Sequence, residues 1–147
     1  MKTFLKWYNL QNNTAFTIDD ITENGAQYEL KCVGIDGKEY LIGDGYGEVE
    51  AACKEYVKET VWAFNADFIA DQCSSNDNSL HSFIVGGCAA LQGLCESANA
   101  PILALIESQC GLDDFVREAI DADGEGHFLA GYDGIMLEFE GIYIFRV

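Results

Sequence analysis

The chain has 147 residues, enough for one domain, and 49% of them are hydrophobic, enough to build a core. It carries 25 acidic residues against 8 basic ones, a formal charge of -17. With 9 Phe, 7 Tyr and 2 Trp it is too aromatic for a disordered acidic tail, and its charge opposes nucleic acid and anionic lipid, whose binding depends on neutralising phosphate with Lys and Arg.

In chain order, residues 1–10 read equally as helix or strand. Their two lysines precede no long apolar run and no small-residue cleavage site, so no signal peptide is expected and the chain reads as cytoplasmic. A short strand is expected at 16–18. Loose alternation over 28–33, then Asp36-Gly37, then 38–42 predicts a β-hairpin, because Asp-Gly suits the left-handed turn that joins two strands. The glycine-rich corner at 43–47 leads into a helix over 47–64. There Val49, Cys53, Tyr56, Val57, Thr60, Val61 and Phe64 recur at spacings of three and four. Asn65 interrupts it, and the polar run 74–79 is a loop.

A second long helix is predicted over 80–95, capped near Asn78 or Ser79. It is apolar nearly all round, so it is expected to be the central buried helix, with Gly86, Gly87 and Gly93 allowing close packing. Pro101 opens a third helix that ends near Cys110 with Gly111 as its cap, its inner face built from Leu103, Ile106 and Cys110. A shorter helix runs to Ile120 with Phe115, Val116, Ala119 and Ile120 inward. After an acidic loop the period changes to two at 135–140, Gly141 turns the chain, and 142–147 is a last strand. The fold class is therefore α+β over a single domain, 1–147: an N-terminal hairpin, four or five packed helices, and C-terminal antiparallel strands in one small sheet.

The six cysteines form no CxxC and read as buried free thiols. Cys73 and His81, eight apart across a polar loop, are the thiol and imidazole that a nucleophile would need, but nothing in their spacing asks for it. The corner Gly43–Gly47 lacks both GxGxxG and a terminal Lys-Ser/Thr, and Asp44, Glu48 and Glu50 would repel a phosphate. Lys2 and Lys6 beside Trp7 and Tyr8 are where a base could be touched, against the field of the whole chain. The segment 121–132 offers Asp121, Asp123 and Glu125 at the first, third and fifth positions of a calcium loop. Tyr132 stands where the bidentate Glu is needed, so at most weak divalent-cation binding is expected. No cofactor is expected.

The charge is patterned. No Lys or Arg occurs between Lys58 and Arg117, and ten carboxylates accompany one arginine from Glu107 to Glu140. A folded body of this kind can occupy a basic groove that normally holds a phosphate backbone. The expected function is therefore non-catalytic engagement of a basic protein, itself nucleic-acid-binding, through Asp113, Asp114, Glu118, Asp121, Asp123 and Glu125. Asp114, Glu118 and Asp121 have the spacing of one helix flank, continuing into Asp123 and Glu125. The alternative is a structural or assembly domain whose charge serves solubility. Whether the chain is a homodimer is left open.

The stretches ETVWAFNADFI (59–69) and GHFLAGYDG (126–134) resemble segments of small uncharacterised acidic proteins encoded by phages and prophages, a similarity extending over about residues 28–147. The resemblance carries no residue roles. It implies a host-cytoplasmic protein and makes inhibition of a bacterial nuclease defence, by nucleic-acid mimicry, the form such engagement would take.

Overall fold

The computed structural model describes every residue except Asn76, which lies in the stretch expected to be a loop. Helices and strands follow in the order α1 (Lys2–Asn12), β1 (Thr22–Gln27), β2 (Leu30–Ile35), β3 (Lys38–Gly43), α2 (Tyr46–Thr60), α3 (Ala66–Cys73), α4 (Asn78–Gln92), α5 (Asn99–Gln109), α6 (Leu112–Asp123), α7 (Glu125–Leu129), β4 (Met136–Phe139) and β5 (Ile142–Arg146). The class is α+β. The chain divides into two compact units, residues 1–53 with 123–147, and residues 54–122.

The first unit is built on one antiparallel sheet ordered β1-β2-β3-β5-β4. The expected hairpin is β2–β3, and its turn has the predicted cause: Asp36 and Gly37 are both left-handed, with φ of 52° and 68°. Glu140 and Gly141, at φ 49° and 81°, make the same two-residue turn between β4 and β5. The ambiguous N-terminus is a helix. Phe4, Trp7 and Tyr8 recur at helical spacing and are buried against Val33, Ile35, Tyr40, Ile42, Ile142 and Ile144. Trp7 and Tyr8 are thus core residues and no platform for a base. The Tyr8 hydroxyl donates to Asp36 and accepts from Lys38, each at 3.2 Å, which ties the helix to the hairpin turn. The strand expected at 16–18 is displaced to β1, and Ile18–Asp20 is a turn of 3-10 helix.

In the second unit, Phe64, Phe68 and Phe115 pack ring on ring with centroids 5.4 to 6.3 Å apart, beside fully buried Val61, Ile69, Ile102 and Ile106. Asn65 does end the preceding helical run: it is the N-cap of α3, accepting from the Asp67 amide at 2.8 Å. The cap of α4 is Asp77, whose carboxylate accepts from the amides of Ser79 and Leu80, rather than Asn78 or Ser79. On α5 the fully buried pair is Ile102 and Ile106. Leu103 and Cys110, expected inward, are only half-buried, because the buried stripe runs through Ile102 and Ile106, one helical turn apart.

The largest correction concerns α4. It is not the central buried helix. Only Ile84 and Cys88 are buried on it, while Phe83 is 77% exposed and Leu94, just beyond its end, 60% exposed. A helix apolar on every side gives no pattern from which its buried face can be read. No helix among the described residues is long and apolar enough to cross a membrane.

Candidate functional site

The carboxylates singled out in the sequence centre on α6. Gly111, at φ 83°, closes the helix before it by donating its amide to the Ile106 carbonyl at 2.9 Å, and Phe115 then bonds back to the Gly111 carbonyl. From that start Leu112, Phe115, Val116 and Ala119 recur at three and four and are buried. The same spacing leaves Asp113, Asp114, Arg117, Glu118 and Asp121 exposed. Asp113 and Asp114 lie in the first turn, where the helix dipole favours them.

The helix does not stop at Ile120. It continues through Asp123, so the first three residues of the expected acidic loop are helical. Gly124, at φ 79°, then breaks the chain, and α7 begins at Glu125. This removes the calcium-loop geometry. Asp121 and Asp123 are in a helix, and Glu125 is held elsewhere, accepting a 2.6 Å hydrogen bond from the Tyr46 hydroxyl. Among the described residues no three His, Cys, Asp or Glu side chains are placed to hold a metal ion. The bond to Glu125 leads the causes, followed by burial, that push the Tyr46 phenol up to about 12.

Within the second unit two of the six carboxylates already have cations. Asp113 pairs with Lys54, which holds its carboxyl below the usual range, and Asp114 pairs with Arg117 one turn along. Glu118 and Asp121 remain exposed on the same flank. Three carboxylates at 114, 118 and 121 span roughly 10 Å of helix axis at about 1.5 Å per residue. Asp121 and Asp123 occupy the last turn, which has no basic residue. The dipole there disfavours negative charge, by roughly 0.3–1 kcal/mol per group. This arrangement can attract a cationic surface.

The other candidates resolve into structural roles. The glycine corner satisfies itself: the Asp44 amide donates to the Glu48 carboxylate at 2.8 Å, and Asp44 pairs with Lys31. One amide of the corner is thus already taken by a carboxylate. Cys73 lies 3.5 Å, sulfur to sulfur, from Cys110, and burial pushes its thiol up to about 12, whereas His81 bonds Asp71 at 2.9 Å. The structure therefore gives Cys73 and His81 different partners. In 126–134, Tyr132 carries the Arg146 guanidinium over its ring at 3.5 Å, and the Asp133 carboxylate accepts from the Ile135 amide. The Tyr132 amide also donates to the Arg146 carbonyl.

The chain matches no known protein family, no characterised protein and no solved structure. Sequence reasoning missed the exposed face of α4, although two adjacent glycines in mid-helix were its available signal.

Proposed function

We propose that this is a non-catalytic binding protein whose α6 flank engages a basic surface of a nucleic-acid-binding protein. The observation that carries the reading is the placement of Asp121 and Asp123. Two exposed carboxylates are kept at the end of a helix where they destabilise it, with no cation in that turn. Solubility needs negative charge somewhere, but it does not need it there. The supporting observation is that Lys54, Lys58 and Arg117, the three basic residues of the second unit, are all spent on neighbouring carboxylates. The residues proposed to meet the partner are Asp114, Glu118 and Asp121, flanked by Asp113 and Asp123, with Glu125 tied to Tyr46. Following the resemblance to phage proteins, the partner is a bacterial nuclease whose nucleic-acid groove this flank occupies.

The test uses the immobilised chain and a variant carrying Asp114→Lys, Glu118→Lys and Asp121→Lys, both against bacterial lysate. The native chain should retain a basic nucleic-acid-binding protein that is released by salt and by competing duplex DNA. The variant should not retain it. Equal retention by both, or release by neither salt nor DNA, would remove α6 as the contact face and leave the structural or assembly reading.

A further inference from the structure

The outward face of α4 carries a second surface, independent of the acidic flank. Phe83, Gly87 and Ala90 of α4 and Leu94, two residues past its end, lie at spacings of four, three and four, all exposed, with Gly86 beside Gly87. Intramolecular packing does not explain the glycines. A Cβ built on Gly86 or Gly87 would meet nothing within 4 Å, so alanine would fit at either position. Each glycine costs about 1 kcal/mol relative to alanine in mid-helix. What glycine does supply on an open helix face is close approach of another backbone.

The order of the stripe says which backbone. Turned end for end, Phe83 faces Leu94, Gly87 faces Ala90, Ala90 faces Gly87 and Leu94 faces Phe83. Each large side chain meets a large one at the rim, and small meets small at the centre. Such a surface is complementary to itself about a two-fold axis. Charge selects the same occupant. No Asp, Glu, Lys or Arg occurs between Asp77 and Glu96, so this is the stretch on which two chains of charge -17 can meet with least repulsion.

We propose that α4 is a homodimer contact, packing antiparallel against α4 of a second copy, with Phe83 of each copy against Leu94 of the other. A helix of 15 residues is only about 22 Å long, so a contact confined to it makes a weak, concentration-dependent dimer. High salt strengthens it, by screening the repulsion between the remaining surfaces.

Sedimentation equilibrium of the intact chain over a wide concentration range, at low and high salt, measures this directly. Ala90→Glu places a charge at the centre of the contact and should weaken the dimer at least tenfold, while leaving the melting temperature of the monomer nearly unchanged. Geometry is read by crosslinking in a Cys95→Ser background. Phe83→Cys mixed with Leu94→Cys should form a covalent dimer on mild oxidation, and neither variant should do so alone. A native chain that stays monomeric at every concentration and salt would overturn the proposal. So would a dimer indifferent to Ala90→Glu, or crosslinking of Phe83→Cys to itself.

Discussion

Two glycines show how differently the same residue can matter. Gly126, the second residue of α7, lies so close to the chain entering β4 that a Cβ there would overlap the Gly134 carbonyl and sit 2.8 Å from the Met136 amide. Backbone cannot yield there as a flexible side chain would. Gly126→Ala should therefore destabilise the chain by roughly 1–3 kcal/mol or more, read from the urea midpoint. Gly47, in the exposed first turn of α2, has nothing within 4 Å, and Gly47→Ala should instead stabilise by roughly 0.5–1 kcal/mol. Tyr46 gives a pH readout of the same unit. Its folded value, about 12, lies above the ordinary 10, so its bond to Glu125 contributes below about pH 10 and is lost as the pH rises through 12. An ultraviolet titration of the native chain should show a tyrosine ionising that late, and Tyr46→Phe should remove that step. Cysteine reactivity should be equally uneven. Burial pushes the thiols of Cys53 and Cys73 up to about 12, while Cys95 is exposed. Alkylation at pH 8 should modify Cys95 first, and Cys53 and Cys73 only on unfolding.

At the scale of elements, α6 is where stability and the proposed function pull apart. Its buried face fixes it in place, while Asp121 and Asp123 oppose its dipole. Asp121→Lys should raise the urea midpoint, by roughly 0.3–1 kcal/mol of stability, and weaken partner capture in the same protein. Loss of both stability and capture would mean that the substitution simply damaged the fold. The same helix shows what sequence can and cannot supply. Its inner face was readable, because Phe115, Val116 and Ala119 alternate with charges at helical spacing. Its end was not, because Asp-Ala-Asp resembles a loop by composition, while Gly124, the next residue, carries the positive-φ backbone that stops the helix. The β2–β3 hairpin was readable from Asp36-Gly37 for the opposite reason: there the turn chemistry is local. Helix α1 is short enough to read as strand until the sheet that covers it is known, and the outward face of α4 is signalled by little more than its two adjacent glycines, because that helix is apolar nearly all round.

The charge of the whole molecule does not sit in one lobe. The first unit holds 14 acidic and 5 basic residues and the second 11 and 3, so each is strongly negative by itself. The concentration of carboxylates late in the sequence therefore marks a helix flank and not a uniquely acidic unit. Two electrostatic effects then compete as salt is added. The pairs Lys6–Glu140, Lys31–Asp44 and Arg117–Asp114 are attractive, but their side chains are about half exposed or more. Pairs of that kind contribute roughly 0–1 kcal/mol each at best, and many contribute nothing measurable. Repulsion among the unpaired carboxylates acts within both units at once and is spread over the whole surface. Raising the salt from about 0.01 M to 1 M shortens the screening length from about 30 Å to about 3 Å, which removes the long-range repulsion while leaving close pairs partly intact. Repulsion has more to lose, so net stability should increase with salt. A gain of ~1–2 kcal/mol corresponds to roughly 3–8 °C in Tm for a chain of this size. Calorimetry across that range, using a chloride salt to avoid the burial-strengthening effect of sulfate, should show the rise in Tm. It should also be smaller in a variant with Asp114, Glu118 and Asp121 all changed to Asn or Gln, because that variant starts with less repulsion to screen. A flat or falling Tm would mean that the ion pairs outweigh the repulsion, and the acidic surface would then be held together by its few cations.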